Sequence, residues 1–225
     1  MRVSRRSDET SAWFVVEDLD EVQRVAAREM GFEPLGDAMA RWFSASTAHV
    51  ETAYANFQRH IEAVLRQRAG QEPVRWEDAL IALLDRVGEM PLAWYLVGSA
   101  ALAVRGLDVM PGDIDLVVAA RDVPAFALAL RDVLVEPVTP IEGWVVDCFG
   151  RAFHGAVIDI AGGVNGQADL PLPSDFGPVA AARLETIAWR GYELRVPPLD
   201  LQLAVNERRG RERAVALIRE ALAGR

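Results

Sequence analysis

Lysine is absent from this chain: all 24 basic residues among its 225 are arginine. Every mechanism that needs a lysine amine is therefore excluded. Cysteine is nearly absent too. Cys148 stands alone, so no internal disulfide can form. No apolar run approaches the roughly 20 residues that a membrane-spanning helix needs. The stretch Met1–Ser11 is polar and has no apolar segment behind it of the kind a secretory signal carries. Together these features predict a cytoplasmic protein without a membrane segment.

Positive charge is in short supply as well. The net charge is −9. Residues 73–182 carry 6 Arg against 15 acids, whereas residues 183–225 carry 9 Arg against 6 acids. A general nucleic-acid binder needs a strong basic excess, so nucleic acid is not the expected partner. An acidic middle suits divalent cations, and a basic final segment suits phosphates.

The chain has enough apolar residues for a core, at 51% of the total. The first ~70 residues read as a small β-α-β-α unit. Its strands fall near residues 12–17 and 38–43, with a helix capped by Asp18 or Asp20 between them. The second helix runs from Thr47 to about Arg68, with Val50, Tyr54, Phe57, Ile61 and Leu65 at helical spacing. Gly70-Gln71-Glu72-Pro73 marks a boundary. We therefore divide the chain into a unit of unassigned role (1–72), a central domain (73–198) and C-terminal helices packed upon it (199–225). In the central domain the sequence predicts helices at 76–87, 99–105 and 123–134. It predicts strands at 92–97, 113–118, 144–149 and 156–160, and a hairpin at 184–196. The expected fold class is α+β, with one mixed sheet and flanking helices.

The chemistry concentrates in two segments. Trp94-Tyr95-Leu96-Val97 leads into Gly98-Ser99 and a helix. Glycine lets a backbone approach a ligand closely, and free N–H groups at a helix start favour an anion, so Gly98 and Ser99 are candidate phosphate ligands. Then comes Asp113-Ile114-Asp115 on an apolar strand. Strand side chains alternate, so the two carboxylates share one face. Two like charges side by side need a counter-charge, and a hard cation such as Mg²⁺ prefers carboxylate oxygens.

This Gly-Ser…Asp-x-Asp pattern resembles the polymerase-beta-like nucleotidyltransferase superfamily, in its bacterial small-molecule or toxin/antitoxin branch. The resemblance covers about residues 76–160. It implies that Gly98 and Ser99 hold a nucleoside triphosphate, with ATP the expected one. It implies that Asp113 and Asp115 bind two Mg²⁺, and that a third acid on a later strand completes the site. Asp159, within Val157-Ile158-Asp159-Ile160, matches best, and Asp147 on the neighbouring strand is its rival. Asp159 would also take the acceptor's proton.

The chain departs from the superfamily in two places. Many relatives carry a basic residue and a Thr before the acidic pair, where this chain has Met110, Pro111 and Gly112. Many carry a C-terminal lysine, for which Arg208, Arg209, Arg211 and Arg213 are the available substitutes. The implied reaction is transfer of a nucleoside monophosphate from an NTP to a hydroxyl acceptor. A small, cationic acceptor is expected from the acidic middle of the chain. Two alternatives stay open: a toxin-like transferase acting on RNA or protein, and a non-catalytic, antitoxin-like relative that binds a nucleotide or a partner.

Overall fold

A computed structural model describes residues 1–224; Arg225, the last residue of the expected C-terminal segment, lies outside the described residues. The chain begins with β1 (Arg2–Ser7), β2 (Ser11–Glu17), α1 (Glu21–Glu29), β3 (Glu33–Leu35), β4 (Ala38–Ser44) and α2 (Val50–Arg68). The middle contains α3 (Trp76–Val87), β5 (Trp94–Val97), α4 (Gly98–Ala103), β6 (Ile114–Val118), α5 (Val123–Ala129), β7 (Leu134–Pro140), β8 (Val146–Phe153) and β9 (Val157–Val164). The chain ends with α6 (Pro178–Ala181), β10 (Glu185–Trp189), β11 (Tyr192–Val196), α7 (Leu199–Arg208) and α8 (Glu212–Ala223). The fold is mixed α+β, as the sequence predicts. Among the described residues no helix is long and apolar enough to cross a membrane.

Three sheets form. The first has the order β1-β2-β4-β3 and is antiparallel throughout. The second has the order β5-β6-β9-β8-β7, in which β6 and β9 run parallel and the other pairs antiparallel. The third is the β10-β11 hairpin. The N-terminal segment thus has two strands beyond the expected pair, β1 and β3. The expected helix over 123–134 stops at Ala129, and Leu134 instead opens β7.

Alternation explains the five-stranded sheet. Ile114, Leu116 and Val118 are buried on one face with Leu96, Ile158 and Ile160. They join a core that includes Leu80, Leu83 and Leu84 of α3 and Phe126 of α5. Helices therefore cover that face. The intervening positions turn to the other face, where Tyr95, Val97 and Val117 form a smaller apolar cluster with Phe176 and Leu184.

Helix α2 is the bridge between the two larger sheets. Its apolar stripe, with Ala53, Phe57, Ile61 and Val64 all buried, enters the main core, where Phe57 meets Phe14 of β2. The Phe57 ring lies 5.1 Å from Phe14, which in turn lies 4.7 Å from Phe43. Its other side rests on the edge strand β7. There the buried Asn56 donates from Nδ2 to the Leu134 carbonyl at 2.9 Å and the Arg131 carbonyl at 3.2 Å. At the far end, Gln67 donates from Nε2 to the Gly155 carbonyl at 2.9 Å. The last turn of α2 is thereby held against the sheet beside β9.

Asn56→Ala leaves two carbonyls without this donor inside a packed contact. It should lower stability by about 2 kcal/mol, because an unpaired buried polar group keeps its desolvation cost. Urea unfolding measures this. An unchanged midpoint would mean that α2 docks on β7 through apolar contact alone.

Candidate active site

Asp115 sits on β6, Asp113 one residue before that strand, and Asp159 on β9. Because β6 and β9 are parallel neighbours in register, Asp115 and Asp159 lie directly opposite one another. One oxygen from each of the three carboxylates falls within 4.8 Å of the others. Strand β9 is the central strand of its sheet. Asp147 does not join the cluster. Its strand β8 places it beside Gly163, four residues along β9 from Asp159, a distance of roughly 13 Å at strand rise. There it lines a separate, more apolar cleft of about 470 Å³ with Trp94, Tyr95 and Arg195.

Asp115 and Asp159 line a cavity of about 370 Å³, together with Gly98, Trp144, Phe149 and Arg209, and Asp113 adjoins it through the carboxylate cluster. That size falls within the range of small-molecule clefts. Gly98 has φ +66°, and a Cβ there would collide with the Asp115 carboxylate. The glycine is thus required twice, by its left-handed backbone and by the acid packed against it. Ser99 follows in the first turn of α4, which is only six residues long, so the turn itself rather than a long helix dipole shapes this edge of the cavity. The buried Gln202 of α7 donates to the Gly98 carbonyl at 3.3 Å, tying the C-terminal helices to the turn.

Arg208 and Arg209 diverge. Arg209 faces the cavity, whereas Arg208 donates to the Pro173 carbonyl at 2.8 Å. Trp144 lines the cavity, while Trp189 packs on Trp76 with ring centroids 5.8 Å apart.

Three charged residues at the site were not singled out by the sequence. Arg68, the last residue of α2, places one guanidinium nitrogen 2.7 Å from Asp113 Oδ2 and another 3.3 Å from Asp159 Oδ2. Arg151, paired with Asp159 across the β8–β9 ladder, donates from Nε to Asp159 Oδ1 at 3.0 Å. Its Nη1 meets both oxygens of Glu136 at 2.9 and 3.0 Å and the Met30 carbonyl at 2.7 Å. Arg41 of β4 adds a contact to Glu136 at 3.4 Å. Burial works against the Arg151 charge, but Glu136 and Asp159 outweigh it and hold the guanidinium above its ordinary value. The third residue, Asp175, is buried in the cavity wall. Its loop is braced by Asp169, which accepts from the Ser174 and Val179 amides, each at 2.8 Å. Burial raises the Asp175 pKa, with Arg209 the main opposing charge.

The acids themselves are strained electrostatically. Burial pushes the Asp115 carboxyl up to about 7, and the charges of Asp113 and Asp159 add to the shift while Arg68 opposes it. Asp113 is also raised, chiefly by burial, with the nearby Arg68 pulling the other way. Arg68 and Arg151 reach Asp113 and Asp159, and Asp115 has no arginine ion pair of its own among the described residues, so the cluster keeps room for further positive charge. Three converging carboxylates are hard oxygen donors, the set that Mg²⁺ or Mn²⁺ takes, so the residues fit a divalent cation.

No protein-family model matches the chain, and no curated protein matches it. Two solved structures align over 65% of it. One is a Thermotoga maritima protein provisionally described as a nucleotidyltransferase, 19% identical over 92% of its own length, with a TM-score of 0.48. The other is ANT(2″)-Ia, solved in complex with adenylyl-2″-tobramycin, 13% identical over 89% of its length, with a TM-score of 0.43.

A carboxyl whose folded pKa stands near 7, above its ordinary 3.8, stabilises the fold below the lower value and loses that contribution as pH rises through the upper one. Metal-free protein in chelator should therefore weaken between about pH 4 and pH 7 through Asp115. Asp115→Asn removes this dependence. At about pH 8 the variant should exceed the wild type by on the order of 1–2 kcal/mol. Chemical denaturation at about pH 5.5 and pH 8 checks it. A variant weaker than wild type at the higher pH would show that the ionised Asp115 is stabilised by its surroundings.

Proposed function

We propose that this protein is a metal-dependent nucleotidyltransferase. It transfers a nucleoside monophosphate from an NTP, with ATP the expected donor, to a hydroxyl of a small acceptor. The observation that carries the reading is the convergence of the Asp113, Asp115 and Asp159 carboxylates to within 4.8 Å of one another, with the Gly98 turn packed against Asp115. In the reaction the acceptor oxygen forms a bond to the α-phosphorus. The bond from that phosphorus to the bridging oxygen breaks, and pyrophosphate leaves.

Asp113, Asp115 and Asp159 would hold Mg²⁺, two ions in the full complex. Bound there, the metal would supply Lewis-acid charge neutralisation at the phosphates. The other roles belong to the chain's own groups. Gly98 and Ser99 form the turn on which the β- and γ-phosphates would rest. Arg209 lines the same cavity and offers a guanidinium to phosphate oxygens, whereas Arg208 must first leave the Pro173 carbonyl. Asp159 is the candidate base. Its Oδ1 is engaged by Arg151 and its Oδ2 by Arg68, so Oδ2 accepts the hydroxyl proton only once Arg68 has moved. Positioning and electrostatics, rather than covalent chemistry, would supply most of the rate.

Charge supports a small cationic acceptor. Asp115, Asp159 and Asp175 line the cavity and Asp113 stands beside them in the cluster, and an acidic cleft concentrates cationic small molecules. A polynucleotide would meet a chain of net charge −9, and its affinity rests on Lys and Arg contacts to phosphate.

The test is incubation with each α-labelled NTP, Mg²⁺ and a panel of acceptors: cationic amino sugars, tRNA and cell protein. Asp113→Asn and Asp115→Asn should each reduce transfer by at least about 100-fold while the protein stays folded. Asp159→Asn should lower turnover far more than NTP affinity. Asp147→Asn should transfer normally, since its carboxylate lies outside the cluster. Wild-type rates in both Asp113→Asn and Asp115→Asn would remove the assignment. Labelling of RNA or protein in place of the amino sugars would favour the toxin-like reading.

A further inference from the structure

Arg68 belongs to the N-terminal unit, 45 residues before Asp113 in the chain, yet it bridges two of the three acids. The geometry points to Arg68 as an internal counter-ion that a divalent cation must displace, so that the N-terminal unit sets the metal affinity of the site. This rests on the reading of the three acids as a metal site.

The argument is one of shared oxygens. Arg68 donates to Asp113 Oδ2 at 2.7 Å and to Asp159 Oδ2 at 3.3 Å. A hard cation bound by these carboxylates needs lone pairs of the same two groups, at roughly 2.0–2.1 Å for Mg²⁺. A guanidinium held that close would add a positive charge beside the metal, and the two cations repel. Each therefore weakens the other.

The two arginines at the cluster differ in how they are held. Arg151 has a side-chain exposure of 9% and is locked by Glu136 and the Met30 carbonyl as well as Asp159. Arg68 has an exposure of 23%, and its hydrogen-bonding partners among the described residues are the two acids themselves. Its backbone is fixed, because the neighbouring Gln67 holds the Gly155 and Pro73 carbonyls at 2.9 and 3.1 Å. The guanidinium can thus swing away while α2 stays docked. Arg68 is the displaceable cation, and Arg151 the permanent one.

The experiment is Mn²⁺ titration of the full chain, without nucleotide, by calorimetry or by the signal of free Mn²⁺. Arg68→Gln should bind Mn²⁺ about tenfold more tightly than wild type, within the usual span of coupled equilibria. Arg68→Lys, which keeps the charge but not the two-pronged fork, should fall between them. The metal-free Arg68→Gln protein should melt at a lower temperature than wild type, and metal should raise its melting temperature by more. A measurement on the unaltered chain stands beside these. Phenylglyoxal should label Arg68 slowly in chelator and several-fold faster with saturating Mn²⁺. Equal or weaker Mn²⁺ binding in Arg68→Gln, or labelling unchanged by Mn²⁺, overturns the inference while leaving the metal site standing. Absence of Mn²⁺ binding in both proteins overturns the metal site and this inference together.

Discussion

Like-charge repulsion at one point on the sheet organises this molecule. Three carboxylates, from two adjacent strands and the residue that leads into one of them, converge within 4.8 Å, on a face that is already half-buried. Burial and mutual repulsion favour the protonated form and raise the Asp115 carboxyl to about 7 even with Arg68 opposing them. The fold answers with arginines from two directions. Arg151 comes from the next strand of the same sheet, and Arg68 from a helix in the N-terminal segment. The acid cluster and the N-terminal segment are therefore electrostatically joined.

That joint makes sense of parts that otherwise look unrelated. The Phe14, Phe43 and Phe57 contacts fix α2 on the first sheet. Asn56 and Gln67 fix it on the second. Arg41 and the Met30 carbonyl reach the buried Glu136–Arg151 pair from the same side. A buried ion pair of this kind is weak evidence for stability in itself, since desolvation offsets most of the attraction. Its consequence here is orientation, because Arg151 can hold Asp159 only if Glu136 holds Arg151.

The acids were legible from sequence because strand alternation is a local rule. Asp113 and Asp115 at i and i+2, and an acid between Ile158 and Ile160, declare a polar face on an apolar strand. Gly98 was legible as a close-approach residue, although the group that approaches it is Asp115. The strands β1, β3 and β7 were not legible, and all three are edge strands. An edge tolerates Arg2, Arg5 and Arg6 in β1, and Pro137 and Pro140 in β7, so the apolar alternation that marks a strand is missing. Arg68 was hidden for a different reason. An arginine in the last turn of a helix already has a local explanation in the helix dipole, and nothing nearby in sequence says that the helix ends at a cluster of acids. Arg151 and Asp175 depend in the same way on contacts distant in sequence.

The central claim is that Asp113, Asp115 and Asp159 form one divalent-cation site. Its most direct test is anomalous diffraction from crystals grown with Mn²⁺. The account predicts an anomalous peak within bonding distance of oxygens from all three carboxylates. Manganese bound elsewhere on the chain, with no peak among these three residues, would contradict it.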